Sequence, residues 1–457
     1  MPNRTAAIIA PLAAVVSYLA LIALGLDYLP AITVAITLLT VIWWVSEAVP
    51  IPATSLVPFA ALPLAGVIDH KTAAAALGSH VILLLMAAFM LSKALEKSLV
   101  HQRLAVYLLT LIGAHSGRRL LFGFMVSAAL LSMWISNTAT ALIMMPMALA
   151  ISAAANNRTL TVALVLGIAY AASVGGMGTL IGTPPNVIFA GIYEAQTGRE
   201  VGFLDWMAIG IPVVVVAIPL MALWLGRHVG HNQPFELPEV GAWRPEERRV
   251  LIIFALTIVA WITRSQPFGG WSGWLGLPGI GDSTIALTAV VMMFVTPSGR
   301  GGQRLLDWES AVTIPWGMLL LFAGGICLAK GFDASGLSAM LGDGLRALDN
   351  LPTWLMLLAV CLAVTYLTEI TSNTATATLL MPILAATAVA IDVDPKALMI
   401  PAAMAASSAF MLPVATAPNA IAYGTGQFTI AEMAREGALL SATVSSVIAL
   451  VCYWLLL

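Results

Sequence analysis

The sequence predicts an all-α polytopic membrane protein, with about eleven transmembrane helices and two re-entrant helical hairpins in two inverted repeats. Three observations predict it. The 457 residues are 60% hydrophobic and only 9% charged. An average soluble domain is about 25% charged, so a soluble multidomain enzyme is excluded. The apolar residues lie in long runs, many near the ~20 residues that cross ~30 Å of hydrocarbon as a helix. Finally, one polar block set inside apolar sequence occurs twice, in the same order.

The elements follow along the chain. The run Ala6–Leu26 is long for a signal-peptide core of about 7–15 residues, and no small-x-small cleavage pattern precedes Asp27, so it reads as the first span. Further spans are Leu29–Ala48, Pro52–Ile68, Ser79–Lys97, Thr159–Gly178 and Trp206–Gly226. After them come Val250–Arg264, Ser283–Thr296, Val312–Lys330, Ala397–Leu412 and Gly437–Leu457. Gly117–Ala155 and Leu351–Ile391 do not fit single spans, because Ser136-Asn137-Thr138 and Ser372-Asn373-Thr374 stand at their centres. Each arm is slightly short of a full crossing, as expected of a hairpin whose tip stays inside the protein. His101–Ile112 and Leu337–Leu348 are amphipathic and read as interfacial helices on opposite faces. The link 227–249, with Pro234, Pro238 and Pro245, reads as a solvated cytoplasmic connection. Trp261, Trp271 and Trp274 fit an outer aromatic belt. Cys327, Cys361 and Cys452 lie in apolar runs and read as small buried hydrophobes. Glu47 reads as structural, and His80 and His101 as interfacial.

The duplicated block fixes the organisation. Residues 136–141 recur as 372–377 at an offset of 236, and Met145-Pro146 recurs as Met381-Pro382. Downstream, Thr183-Pro184-Pro185-Asn186 is echoed by Thr416-Ala417-Pro418-Asn419. Matched features in one order mark an internal repeat. With a cytoplasmic N-terminus, Lys71, Arg199, Arg264, Lys330, Arg346 and Lys396 fall outside, and the other fourteen of the 20 basic residues fall inside. That bias agrees with the positive-inside rule, and an odd number of spans opposes the two repeats. The predicted parts are scaffold 1–112, transport part 113–226, linker 227–249, scaffold 250–350 and transport part 351–457. The near-neutral charge, with 20 basic and 22 acidic residues, gives no footprint for nucleic acid.

The motifs point to ion and anion chemistry. A helix beginning after Thr138 leaves its first N–H groups unpaired and carries a partial positive charge. Two such buried ends facing each other suit a ligand with two anionic ends. The Asn137 and Asn373 amides can donate to carboxylates while their carbonyls face a cation. Proline-broken helices at Gly182–Asn186 and Ala415–Asn419 free backbone carbonyls, hard oxygen ligands suited to Na⁺. Ser132 and Thr368 each lie four residues before the following motif, on one helical face with it. Glu369, ionisable at membrane depth, is open to a bracing or a proton-coupling role.

These two Ser-Asn-Thr motifs, the Gly-Thr-Pro-Pro-Asn and Ala-Thr-Ala-Pro-Asn loops, and the segment Trp43–Pro52 resemble the divalent anion/sodium symporter family. The resemblance covers nearly the whole chain. It implies a homodimer in the lipid bilayer, an elevator mechanism, and Na⁺-coupled uptake of C4-dicarboxylates such as succinate, malate and fumarate. It implies a first Na⁺ site at Ser132, Ser136, Asn137 and the Gly182 carbonyl. The second implied site uses Thr368, Asn373 and the carbonyls of Thr371 and Ala415. The implied substrate contacts are Asn137, Thr138, Thr183, Asn373, Thr374 and Thr416. A bacterial inner-membrane location follows from the same resemblance. One departure is Ala417, where several members carry proline.

The competing functions are a dicarboxylate or tricarboxylate exchanger with little Na⁺ dependence, a channel, and a membrane enzyme. A channel needs a continuous polar path, whereas these polar residues cluster at one level. Neither G-x-x-x-x-G-K-[ST] nor H-E-x-x-H occurs, which argues against ATP hydrolysis and zinc proteolysis.

Overall fold

The computed structural model describes residues 4–155, 157–230, 235–237, 240–265, 269–299, 301–340 and 352–457. Its described residues are helical, with one isolated bridge between Pro297 and Arg304. Eight helical segments are long and apolar enough to cross a membrane, and five shorter apolar helices accompany them. The chain is therefore a polytopic helical membrane protein.

The first part runs α1 (Arg4–Ala23), α2 (Tyr28–Ser46), α3 (Ile51–Thr54), α4 (Val57–Leu64), α5 (His70–Leu77), α6 (His80–Ser98) and α7 (Val100–Ile112). Glu47, at φ +49°, closes α2 in the left-handed conformation. The expected single span Pro52–Ile68 is instead two short helices broken at Ser55-Leu56, and Trp44 Nε1 donates to Ser55 Oγ at 3.1 Å across that break. The helix α7 buries one face, as its amphipathic pattern requires, and His101 turns inward with 3% exposure.

The first hairpin is α8 (Gly117–Ser132) and α9 (Asn137–Ala155). It leads into α10 (Arg158–Gly175), an unwound stretch, α11 (Pro184–Thr197) and α12 (Phe203–Leu225). Asn157 caps α10 by accepting from Leu160 N–H at 3.1 Å. This helix is the centre of the molecule, 94% buried along its apolar window. The chain then continues with α13 (Pro245–Ile262), α14 (Gly270–Trp274), α15 (Asp282–Val295), α16 (Trp308–Ala311) and α17 (Trp316–Ala334). The second hairpin is α18 (Thr353–Thr368) and α19 (Asn373–Ala390), followed by α20 (Pro395–Ala405), an unwound stretch, α21 (Ala417–Gly424) and α22 (Ile430–Leu456). Of the expected interfacial helix Leu337–Leu348, only Leu337–Met340 lie among the described residues, and these are helical.

Two expectations are corrected. The link 227–249 is docked, not freely solvated: Phe235 N–H donates to Ala114 O at 2.9 Å, and Arg103 donates to the carbonyls of Gly241 and Ala242. Arg103 also meets the nearly buried Glu247 at 3.0 Å, which fixes the start of α13 to α7. Trp261 is no belt residue. It is 2% exposed, stacks on Phe203 at 4.4 Å and donates to Asp282 O, because its indole N–H finds a carbonyl only inside the fold. Trp274, by contrast, is 71% exposed. The three cysteines are buried and unpaired.

Candidate functional site

Both hairpins turn at their Ser-Asn-Thr tips, which share a plan but not the serine cap: Ser136 accepts a hydrogen bond there and Ser372 does not. Ser136 ends the first turn by accepting from Ala139 N–H at 3.1 Å, which starts α9 at Asn137. In the second, Ser372 carries the cap position and α19 starts at Asn373. Behind each tip a buried hydroxyl donates to the asparagine carbonyl. The donor is Ser132 to Asn137 Oδ1 in the first hairpin and Thr368 to Asn373 Oδ1, at 2.8 Å, in the second. Thr368 Oγ1 also lies 3.0 Å from the Ala406 carbonyl, at the end of the broken helix.

The broken helices are stapled by a pair of residues absent from the expected site. Asn186 donates to Gly176 O at 3.0 Å and Thr179 O at 2.8 Å. Asn419 donates to Ala409 O and Leu412 O, both at 3.0 Å. All three positions of one set map onto the other by adding 233. The amide thus satisfies carbonyls that the unwound backbone leaves free. The sequence signal was the asparagine two or three residues into each proline loop. Backbone crowding adds a second paired feature. A Cβ on Gly210 of α12 would stand 2.4 Å from Met177 O, and one on Gly437 of α22 would stand 2.2 Å from Phe410 O. Each glycine is the eighth residue of its helix, and each lets that helix touch the unwound strand.

Glu369 braces the second break. Its carboxylate accepts from Phe410 N–H at 2.6 Å, from Met411 N–H at 2.9 Å and from Leu412 N–H at 3.2 Å, and Ser441 Oγ donates at 3.3 Å. Of the two roles left open by the sequence, the geometry supplies the bracing one.

The four turns meet at one cavity of about 460 Å³. Ser136, Asn137, Thr138, Gly182 and Thr183 line it from the first repeat, and Asn373, Thr374, Ala415 and Thr416 from the second. Ala417 and Pro418 sit on its wall, so the break that starts α21 forms with Ala417 in place. Ser132 and Thr368 lie fully buried behind the tips. Thr371 does not line the cavity; its hydroxyl is taken up by Leu367 O and Thr376 Oγ1. Thr183 is 2% exposed and meets Ser407 Oγ at 3.2 Å, a contact between the repeats. A Cβ on Gly176 would lie 3.0 Å from both Asn137 Oδ1 and Gly182 O, so two of the expected Na⁺ ligands converge on one glycine. The cavity's far wall comes from α6 and the start of α17, including Lys93, whose ammonium pairs with Glu96 at 2.7 Å. Lys93 was not among the expected site residues, since in sequence it stands apart from both motifs.

Four helix N-termini therefore open on a single space: α9, α11, α19 and α21. Each carries a partial positive charge, but at α11 Pro184 and Pro185 have no N–H and Asn186 N–H is bonded to Thr183 O, so that end acts through its dipole and not through free N–H groups. This arrangement can hold an anion without a basic side chain at the tips.

The citrate transporter (CitMHS) family model matches residues 41–398. The chain is 41% identical over 446 residues to the sodium-dependent dicarboxylate transporter SdcS of Staphylococcus saprophyticus, a match covering 92% of this chain and 85% of that one. It is 40% identical over 447 residues to SdcS of Staphylococcus aureus, with the same coverage of 92% and 85%. Among solved structures, the Alcanivorax borkumensis YdaH transporter matches with TM-score 0.58 at 16% identity, over 81% of this chain and 84% of its own. Neisseria gonorrhoeae MtrF matches with TM-score 0.59 at 15% identity, over 82% and 80%. At such identities these two share the fold alone. By the reach of the family match and the identity of its relatives, the chain belongs to the divalent anion/sodium symporter family and is an integral membrane transporter, not an enzyme.

Proposed function

We propose that the chain carries out Na⁺-coupled symport of C4-dicarboxylates such as succinate, malate and fumarate. The observation that carries this reading is the convergence of four helix N-termini, two from each repeat, on one cavity. Asn137, Thr138 and Thr183 meet one carboxylate, and Asn373, Thr374 and Thr416 the other. One Na⁺ takes Ser132, Ser136, Asn137 and the Gly182 carbonyl. A second takes Thr368, Asn373 and the carbonyls of Thr371 and Ala415. The mirrored pairs Ser132–Asn137 and Thr368–Asn373 support two equivalent cation sites. With no basic side chain at the tips, the dianion's charge is met by helix ends and by the ions. Each ion therefore raises dicarboxylate affinity, and by linkage the dicarboxylate raises ion affinity.

The two transport parts, 113–226 and 351–457, move as one body in an elevator motion. Arg158–Glu432 at 3.0 Å, Trp224 Nε1 donating to Glu436 Oε2 at 2.9 Å, and Thr183–Ser407 tie them together. The boundary with the scaffold is lined by small residues. Gly191 of α11 faces Ile326 of α17, and Gly325 of α17 faces Thr378 of α19. The scaffold parts, 1–112 and 250–350, stay fixed in the bilayer and form the homodimer contact. The N-terminus is cytoplasmic and the membrane is the bacterial inner membrane, with the repeats inverted about the site.

The test is radiolabelled succinate uptake into proteoliposomes. Concentrative uptake should appear with an inward Na⁺ gradient and vanish when choline replaces Na⁺. Undiminished uptake in choline, stimulated by dicarboxylate on the opposite side, would establish exchange instead.

A further inference from the structure

A second polar cluster lies at the other end of α6. Ser79 caps that helix by accepting from Ile82 N–H, which places His80 in its first turn. Gly198, at φ +67°, ends α11 in the left-handed conformation and turns the chain back, so that Glu200 faces the same space as Glu194. His80 Nδ1 stands 3.4 Å from Glu194 Oε1, and His80 Nε2 stands 3.9 Å from Glu200 Oε1. One ligand atom from each of the three lies within 4.8 Å of the others. Together with Asp282 they bound a small pocket of about 20 Å³, room for a single ion or water. Asp282 is committed elsewhere, to Arg264 at 2.8 Å and Phe203 N–H at 2.9 Å. Among the described residues, no Lys or Arg forms an ion pair with Glu194 or Glu200.

We propose that His80, Glu194 and Glu200 form a binding site for a divalent transition metal of the Zn²⁺ class, joining the start of α6 to the end of α11. One imidazole nitrogen and two carboxylates are a donor set that Zn²⁺ takes, with water completing the tetrahedron. Tetrahedral bonds of ~2.0–2.1 Å put ligand atoms roughly 3.3 Å apart. The His80 Nδ1–Glu194 edge already has this length; Glu200 meets the other ring nitrogen, so a metal held on Nδ1 requires the exposed Glu200 to swing to that side. The ligands come from both sides of the boundary between scaffold and transport part. Along α6 the cluster lies roughly 20 Å, at 1.5 Å per residue, from Lys93 at the main cavity. Bound metal would pin the two bodies on the face away from that cavity and hold the cavity open. This last consequence rests on the elevator reading above; metal binding does not.

The experiment uses the purified full-length protein. Zn²⁺ is titrated against a chromophoric chelator, for wild type, His80→Gln, Glu194→Gln and Glu200→Gln. We expect one Zn²⁺ per protomer, with affinity lowered about tenfold or more in each variant, and no competition by Mg²⁺. Equal Zn²⁺ affinity in wild type and all three variants would overturn the site. In proteoliposomes, Zn²⁺ on the face bearing His80 should slow wild-type uptake and leave His80→Gln unaffected. Site-dependent binding that leaves wild-type uptake unchanged would overturn the clamp while the metal site stands, and it would leave the dicarboxylate reading intact.

Discussion

Asn137 and Asn373 each have two chemically opposite ends. The carbonyl already accepts from a buried hydroxyl, the amide is a donor, and each residue lines the cavity. Truncation to alanine removes both ends at once. Losing a hydrogen bond to a charged group costs ~1.5–3 kcal/mol, so Asn137→Ala and Asn373→Ala should each weaken succinate binding roughly ten- to a hundredfold. The dependence of uptake on Na⁺ should also weaken, while insertion stays normal. Wild-type affinity and Na⁺ dependence in either variant would exclude that tip from the site. These residues were legible in the sequence because the second copy repeats the first at one offset. The staples Asn186 and Asn419 stood in the same motifs but gave no sign of their partners. Those partners lie seven and ten residues upstream in an unwound backbone, a geometry that no helical or strand periodicity encodes. Glu369 was legible only as a buried acid; its role depends on N–H groups some forty residues away.

At the scale of elements, each broken helix is held between a hairpin tip and the last helix of its repeat. Gly210 and Gly437 set that second contact. Alanine there collides with a carbonyl oxygen, and overpacking of this kind costs ~1–3 kcal/mol. Gly437→Ala should therefore lower thermal stability and uptake together, by moving the carbonyls that follow Phe410. A stable protein with unchanged uptake would show that the unwound strand tolerates displacement. The hairpins themselves were readable from their polar tips; arm length was no guide, since α19 (Asn373–Ala390) is long and apolar enough to cross a membrane. The break at Ser55-Leu56 was not readable, because Thr54 and Ser55 are the only polar side chains in Pro52–Ile68 and pattern alone does not separate one bent span from two short helices. Trp261 was misjudged for a related reason: its neighbours in sequence are at the surface, and its stacking partner Phe203 belongs to another element.

At the scale of the whole molecule, the proposed division into a fixed and a moving part predicts a labelling pattern. Ile181 lines the cavity beside the first broken helix and is half-buried, whereas Thr183 is too buried to report. In a background lacking Cys327, Cys361 and Cys452, Ile181→Cys should change its reactivity toward impermeant thiol reagents on addition of Na⁺ and succinate. Lys71→Cys, on an exposed scaffold segment, should not. Equal modulation at both positions would contradict a stationary scaffold. The helical, membrane-spanning plan was legible because the apolar runs and the repeat agree with one another. The docked linker was not, since its anchors are backbone carbonyls offered to Arg103. Helix α1 stands apart from this plan. It packs chiefly along α2, only 11% of its apolar window is buried, and the family match begins beyond it at residue 41. Most of the apolar length of α1 therefore meets acyl chains, and a change of residue along it that stays apolar should leave both repeats where they are.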